Sequence, residues 1–151
     1  MEEKKKRTPK DIFVEGPIAP QKIADSIAKH QSKLSIGAHD IFLGQVRADE
    51  IDGKTVTAIE YTAYREMALK ECHKIREEAF KKFDITCMHI YHSLGTVEAG
   101  KLCLFVFTSS PRRKETIAAT HFLVEQIKSK LPIFGKECFD DASHQWKVNT
   151  L

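Results

Sequence analysis

The chain has 151 residues, of which 42% are hydrophobic and 30% are charged, and its formal net charge is +3. These values are ordinary for a soluble protein with one sizeable core, and the charge is too small to indicate a nucleic-acid partner. No apolar run is long enough to cross a bilayer and no signal-peptide pattern is visible, so we expect a cytoplasmic protein without a membrane partner.

The N-terminal part begins with a charged run and continues into ordinary secondary structure. Residues 1–10 have no apolar stretch behind them, so we expect a disordered charged tail followed by one domain over 11–151. The apolar stretch 11–15 predicts a first strand, and Pro20 marks the start of an amphipathic helix.

The middle of the chain predicts two strands and the clearest helix. The stretch 37–47 predicts a strand in which Gly44 indicates a bulge or a close backbone approach. A turn over 48–53 ends in an Asp-Gly signal, and the β-branched stretch 55–64 is expected to return as the paired strand. The stretch 65–83 has the apolar stripe of an amphipathic helix.

Two further strands are predicted at 85–94 and 102–109, and the second is apolar enough to be central and covered on both faces. Ser110 fits the N-cap and Pro111 the first position of the helix that carries Lys128 and continues over 112–131.

The last predicted helix runs into a turn set by Pro132, and a short final strand is expected around Trp146. The resulting order of elements, β-α-β-β-α-β-β-α-β, indicates a single α+β domain with a largely antiparallel sheet covered by helices.

Cysteine and histidine spacing gives no sign of a metal site. Cys87 and His89 would share one face of a strand while His92 points the other way, so these three residues do not form a ligand set. We therefore expect neither metal nor cofactor, and reduced thiols that mostly fill the core. The four cysteines are Cys72, Cys87, Cys103 and Cys138.

Lys128 is the first candidate for chemistry. Ile117, His121, Val124 and Lys128 are separated by four, three and four residues, which predicts that they share one apolar helical face. A lysine on such a face either snorkels its stem to solvent or lines a pocket that needs a cation or an amine of lowered pKa.

The start of the same helix is a second candidate site. Free backbone N–H groups and the helix dipole meet Arg112 and Arg113 there, which favours an anion such as phosphate. A plain capped helix with solvated arginines is the alternative. The helix over 112–131 is ~30 Å long, so its two ends line one pocket only if a second subunit brings them together.

Several short motifs occur in a characteristic order. On these motifs, the chain resembles the large, catalytic subunit of molybdopterin synthase, the MoaE family, from Ile12 to Trp146. The motifs are Gly37-Ala38, Phe42-x-Gly44-x-Val46-Arg47, Glu60-Tyr61-x-x-Tyr64-x-x-Met67-Ala68, His92-x-x-Gly95, Ser109-Ser110-x-x-Arg113 and Lys128-x-x-x-Pro132-Ile133-x-x-x-Glu137, with Trp146 near the end.

The resemblance implies a fold, partners and an activity. The fold would be of the α/β hammerhead type, and a central homodimer would take two small subunits to form a heterotetramer. Each small subunit would be a ubiquitin-like sulfur carrier whose Gly-Gly tail ends in a thiocarboxylate. The tail would enter a pocket near the dimer interface and deliver sulfur to cyclic pyranopterin monophosphate. This is the sulfurtransferase step of molybdenum cofactor biosynthesis that makes the molybdopterin dithiolate.

The resemblance also implies roles for individual residues. Lys128 matches a catalytic lysine, and Glu137 matches the carboxylate that orients a lysine cluster. Arg47 and Arg113 match anion-binding arginines, and Phe42 matches a residue that packs near the inserted tail. The family-like stretch Pro132, Ile133 and Phe134 is expected to contact the tail as well.

Three positions depart from the family pattern. Gly135 replaces a second catalytic lysine, and we expect Lys136 to swing into its place because a glycine loosens the backbone. Arg112 replaces a histidine, so it keeps a cation for substrate binding but cannot shuttle protons. Ser93 replaces an arginine and removes a charge.

Three functions are therefore open. The chain is a working sulfurtransferase subunit, a catalytically impaired family member that acts as a binding or regulatory partner of the small subunit, or an unrelated module that binds nucleotide or RNA. The third is disfavoured because the basic run 112–114 contains no aromatic residue for base stacking. The first is favoured because Lys128, Arg47, Arg113 and Glu137 are all present.

Overall fold

The structure is a computed structural model that describes residues 9–148. Residues 1–8 of the expected tail, and 149–151 of the expected domain, lie outside the described part. The elements are β1 (Phe13–Glu15), α1 (Pro20–His30), β2 (Ala38–Gln45), β3 (Glu50–Ile51), β4 (Lys54–Ala63), α2 (Arg65–Lys82), β5 (Cys87–Glu98), β6 (Leu102–Ser110), α3 (Arg113–Lys130), β7 (Ile133–Phe139) and β8 (His144–Trp146).

The strands of the described residues form one sheet in the order β2-β6-β5-β4-β7-β8, with β3 paired to β4 and β1 to β5. Only the β1–β5 pair is parallel among these residues, and the other pairs are antiparallel. The predicted α+β class with a largely antiparallel sheet is therefore confirmed. No helix between residues 9 and 148 combines the length and apolar character that a membrane span requires.

The predicted pairing of the second strand with the strand at 55–64 is wrong. Strand β2 instead pairs with β6, where Phe42 lies opposite Val106, while β4 lies between β5 and β7. The Asp52-Gly53 turn closes only the short hairpin of β3 and β4, since the register aligns Ile51 with Lys54. The predicted irregularity at Gly44 is confirmed by a register shift that directly follows it.

The predicted turn after Pro132 is also wrong, because strand β7 follows at once. Its residues pair with β4 on one side and with β8 on the other. Proline ends α3 and commits its neighbours to extended backbone, which suits a strand as well as a turn. The carbonyl of Pro132 accepts a hydrogen bond from the Tyr64 N–H at 3.1 Å, which ties the start of β7 to the end of β4.

Helix α3 begins later than predicted. Its N-cap is Arg112, Ser110 is the last residue of β6, and Pro111 precedes the helix. The Ser110 hydroxyl donates to the Arg112 carbonyl instead of accepting from a helical N–H, so it fixes the turn and does not cap the helix.

Strand β6 is buried on both faces, as predicted for a central strand. Phe105 and Phe107 pack with Ile18 in a small cluster on the side of α1. Leu104 and Val106 belong to the main core with Ala119, Leu123 and Ile127 of α3. Because its side chains alternate between two apolar layers, β6 carries no polar alternation in sequence.

Helix α3 is fixed on β6 by a buried hydroxyl cluster. Thr108 Oγ1 donates to the Thr116 carbonyl at 3.1 Å. Having one proton, it accepts from the hydroxyls of Thr116 and Thr120, whose oxygens lie 2.5 and 2.8 Å away. Since β6 leads directly into α3, the helix runs back along the strand and its last turn comes close to Cys103 near the start of β6.

Gly37 is expected to be essential for stability because a side chain there has no room. An added Cβ would lie 2.1 Å from the Pro111 carbonyl oxygen, and the Gly37 N–H donates to the Ser110 carbonyl at 3.0 Å. We predict that Gly37→Ala lowers the free energy of unfolding by about 1–3 kcal/mol, the typical cost of overpacking, in urea denaturation. Ser35→Ala, at an exposed neighbouring position, is the control. Equal stability of Gly37→Ala and wild type would contradict this packing.

Candidate active site

A cavity of about 230 Å³ lies at the C-terminal end of α3. Its walls come from five parts of the fold. Helix α3 contributes Ile127 and Lys128, and strand β7 contributes Ile133, Phe134 and Gly135. Tyr61 of β4, His92 of β5 and Lys147 after β8 complete the polar lining.

Tyr61 and His92 form a buried aromatic pair in the cavity. Their ring centroids are 5.0 Å apart with an interplanar angle of 83°, an edge-to-face contact. Burial raises the pKa of Tyr61 far above its usual value, and Cys103 and Glu137 act in the same direction. The tyrosine therefore keeps its proton and offers a hydroxyl donor.

His92 is held as a neutral ring. Its Nδ1 lies 2.8 Å from the Ser93 carbonyl, so that nitrogen carries the proton and donates, and Nε2 is left as an acceptor. Burial lowers the pKa of His92 to about 4, the hydrogen bond to Ser93 opposes this, and the charge of Lys128 adds to the lowering. Because protonation would place a positive charge in a buried position, the ring accepts a proton only where a neighbouring group compensates for the lost hydration.

The helical face that Lys128 shares with Ile117, His121 and Val124 is not the buried face of α3, although the apolar spacing predicts that it is. The residues predicted to face the core with it are largely outward, and Ile117 is 53% exposed. The buried face instead carries Thr116, Ala119, Thr120, Leu123 and Ile127. The prediction failed because threonine was not counted among core residues, whereas Thr108 satisfies the hydroxyls that make these threonines costly to bury.

The amine of Lys128 is nevertheless perturbed by the cavity. The side chain as a whole is exposed in the single chain, while partial burial of the amine is the largest cause of its lowered pKa. Cys103 opposes the lowering and the charge of Lys147 adds to it. A lysine of lowered pKa holds a larger fraction of neutral amine at neutral pH, which suits it to proton transfer or to nucleophilic attack.

Strand β7 places members of the predicted lysine cluster on opposite faces of the sheet. Glu137 is buried and its Oε1 accepts from Gln145 Nε2 at 3.4 Å. Lys136 points to the other face of the sheet, where its Nζ lies 3.4 Å from Glu60 Oε2. Successive residues of a strand face opposite sides, so Lys136 reaches the position beside Gly135 only if β7 slips its pairing with β4. The structure therefore contradicts the predicted swing of Lys136 into this place.

Lys147 is a cationic cavity residue that the sequence analysis missed. Its backbone N–H donates to the Gly135 carbonyl at 2.8 Å, which continues the pairing of β7 with β8 by one residue. No spacing in the sequence predicts that Lys147 lines the cavity, because its position depends on the register between two short strands. The catalytic roles of Lys128, Lys136 and Glu137 stay predictions.

The predicted arginines lie elsewhere. Arg112 and Arg113 line a second, more open cavity at the start of α3, together with Gly37 and Lys114. The expectation that the two helix ends line different pockets in one chain is therefore confirmed. Arg47 follows β2 and pairs with Asp49, with 3.3 Å between Nη2 and Oδ2.

The predicted tail-binding residues are partly brought together. Ile133 and Phe134 line the Lys128 cavity, and the Phe134 ring meets Tyr64 edge-on at 5.5 Å. Pro132 directly precedes them, whereas Phe42 lies on β2 at the far edge of the sheet and is partly exposed. The tail-binding roles of Phe42, Pro132, Ile133 and Phe134 stay predictions.

Two further observations bear on the chemistry. Ser93 is fully buried, and its hydroxyl has no hydrogen-bond partner among the described residues. Over residues 9–148, no three His, Cys, Asp or Glu side chains are placed to share a metal ion.

Comparison with known proteins gives a consistent set of matches. The family model described as "MoaE protein" matches residues 13–130. Molybdopterin synthase catalytic subunit 1 of Aedes aegypti is 40% identical over 118 residues, which are 76% of each chain. The molybdopterin synthase catalytic subunit of Dictyostelium discoideum is 40% identical over 118 residues, 76% of this chain and 74% of the relative. The chain spans only 32% of the similar Drosophila grimshawi protein.

Solved structures give the same match at the level of the fold. Molybdopterin synthase from Staphylococcus aureus superposes with a TM-score of 0.78 at 28% identity, covering 91% of this chain and 96% of that one. A protein–protein complex of subunits 1 and 2 of molybdopterin-converting factor from Helicobacter pylori gives a TM-score of 0.76, covering 91% of this chain and 89% of that one. At 17% identity, the second likeness supports the fold alone.

The buried state of His92 predicts an unusual titration. We expect NMR of labelled histidine to show His92 neutral until about pH 4, and the urea-unfolded chain, as the control, to titrate near 6.5. Because the unfolded state gains this proton first as the pH falls, the free energy of unfolding decreases between about pH 6.5 and about pH 4. A His92 midpoint near 6.5 in the folded chain would contradict its burial.

Proposed function

The chain belongs to the MoaE protein family, and we propose that it is the catalytic subunit of a molybdopterin synthase. In this proposal it transfers sulfur from the C-terminal thiocarboxylate of a small ubiquitin-like carrier to cyclic pyranopterin monophosphate. The observation that carries the proposal is the Lys128 amine, whose pKa is lowered at a cavity shared with neutral His92 and the Tyr61 hydroxyl.

The residue types in the cavity suit a reaction in which the partner supplies the sulfur. The thiocarboxylate sulfur attacks a substrate carbon and forms the C–S bond while a C–O bond of that carbon breaks, and the oxygen leaves as a protonated group. Water then cleaves the acyl–sulfur bond, which leaves a thiolate on the pterin and a carboxylate on the carrier. The neutral Lys128 amine can take the proton of that water, and its protonated form can stabilise the anion that develops on the acyl group. No cysteine of this chain has to act as a nucleophile.

Exposed apolar side chains around the cavity mouth suit a protein partner. Phe134 is 43% exposed and Tyr64 65% exposed, and the two rings touch. Aromatic residues are enriched at protein interfaces, so we assign this rim to the small subunit, with its tail directed toward Lys128.

The separation of the two cationic sites supports a homodimer as part of this proposal. Helix α3 has 18 residues and is therefore ~27 Å long, which keeps Arg113 of one chain away from its own Lys128. In the proposed homodimer, each site combines Lys128 of one protomer with the arginines of the other. Addition of one small subunit to each site gives a heterotetramer.

The alternative is a catalytically impaired family member that binds the small subunit without turnover. The side chain of Lys136 favours it, because the amine is paired with Glu60 and does not line the cavity. The experiment that separates the two is incubation of the protein with thiocarboxylated small subunit and cyclic pyranopterin monophosphate. Dithiolate formation supports the enzyme, and stable complex formation without product supports the impaired partner.

Lys128→Ala is predicted to abolish conversion while leaving the complex intact. General acid–base catalysis contributes on the order of 100- to 10,000-fold, so we expect a rate loss of at least that lower value in the dithiolate assay. Binding of the small subunit should still be measurable by calorimetry, because the exposed rim is unchanged.

Lys130→Ala is the matched control, since Lys130 is exposed in the same last turn and does not line the cavity. A Lys128→Ala variant that converts the precursor as fast as Lys130→Ala would remove Lys128 from the mechanism.

A further inference from the structure

Lys147 occupies a defined place in the wall of the Lys128 cavity. It follows β8, lines the cavity together with Lys128 and Gly135, and its charge is close enough to lower the pKa of Lys128. Lys147 lies beyond residues 13–130, which the family model matches, and the sequence analysis gave it no role.

The register of three strands directs Lys147 to the cavity. On β7 and β8, Glu137 lies opposite Gln145, and their side chains are bonded, so these two residues face the same side of the sheet. Two residues further along each strand are Gly135 and Lys147, joined by the backbone hydrogen bond. Because strand side chains alternate with a period of two, Lys147 faces the same side as Glu137 and Gln145.

The absence of a side chain at Gly135 gives Lys147 its room. Gly135 lies opposite Tyr61 on β4, and a Cβ at Gly135 would meet Ile59 Cγ2 at 3.0 Å and Tyr61 Cε1 at 3.3 Å. Gly135 is thus the middle residue of a row that crosses the sheet from Tyr61 to Lys147. With glycine there, the Lys147 stem can lie across the row toward Tyr61 and the cavity.

Two lysine amines that face one small cavity favour the binding of an anion. None of the ion pairs formed within residues 9–148 joins Lys147 to a carboxylate. The two ammonium groups repel each other, and an anion bound between them removes the repulsion and gains two charge-assisted hydrogen bonds. Lys136 cannot supply this second cation, because it pairs with Glu60 on the opposite face of the sheet.

We propose that Lys147 is the second cation of the Lys128 cavity, in the place left open by Gly135, and that it binds the anionic group of the ligand that enters there. This assignment of the ligand rests on the proposed function. Two ligands carry such a group: the phosphate of the pterin, and the C-terminal thiocarboxylate or carboxylate of the carrier tail. The shared chemistry is a small oxyanion held between two lysine amines.

Binding measurements on three variants test the proposal. Lys147→Met removes the charge and keeps a similar stem, Lys147→Arg keeps the charge, and Lys130→Met removes a charge from the same end of α3 outside the cavity. Each is titrated calorimetrically with cyclic pyranopterin monophosphate and, separately, with the carrier ending in a plain carboxylate. We expect Lys147→Met to weaken one of the two by about tenfold or more, the effect of one charge-assisted hydrogen bond.

The pattern across the two ligands identifies the bound group. A loss with the pterin alone assigns Lys147 to the phosphate, and a loss with the carrier alone assigns it to the tail. Lys147→Arg should stay within about threefold of wild type, and Lys130→Met should match it. Unchanged affinity of Lys147→Met for both ligands overturns the proposal.

A second readout does not depend on catalysis. The pKa of Lys128, followed by ¹³C NMR of labelled lysine, should rise in Lys147→Met and stay unchanged in Lys130→Met, because only the first removes the nearby charge. If wild-type protein makes no dithiolate but Lys147→Met raises the pKa of Lys128 and weakens carrier or pterin binding, the proposed reaction fails and the second cation stands. An unchanged Lys128 pKa together with unchanged binding removes Lys147 from the cavity.

Discussion

The junction between α3 and β6 is the constraint on which the site depends. Thr108 on the strand bonds Thr116 and Thr120 on the helix, and these hydroxyls satisfy one another in a layer that water does not reach. Such a junction fixes the rotation of the helix as well as its distance from the sheet. With that rotation set, Ile127 points into the core and Lys128 lies at the cavity, so a structural contact near one end of the helix determines the chemistry at the other.

The second determinant is the alternation of strand β7. Seven residues of β7 pair with β4, and this register determines the face of the sheet on which each β7 side chain lies. Gly135 and Glu137 go to the face of the cavity, and Lys136 goes to the face where Glu60 neutralises it. Gly135 and Lys136, which are consecutive in the sequence, therefore take part in different interactions. A cation close to Gly135 has to come from another strand, and Lys147 is in the right register to provide it.

The sequence predicted the parts of the fold that follow from local patterns. Helices α1 and α2 follow from their amphipathic patterns, and the doubly covered strand β6 follows from an almost continuous apolar run. The prediction failed where long-range partners decide the outcome. Pro132 was interpreted as the start of a turn, although strand β7 follows it. The buried face of α3 was not recognised because it carries threonines, which are core residues only because Thr108 lies opposite. The position of Lys147 depends on strand register, which one sequence does not reveal. For the same reason, the sequence did not show that the Lys136 side chain faces Glu60 and not the cavity.

The central claim is that the carrier tail ends at the Lys128 cavity, and cross-linking of zero length measures this directly. The C-terminal carboxylate of the small subunit is activated with a carbodiimide in the complex, and the resulting amide bonds are located by peptide mass spectrometry. We predict that the terminal glycine is joined to Lys128 or Lys147, the two amines that line the cavity. Linkage only to lysines outside the cavity, such as Lys74 on α2, would contradict it.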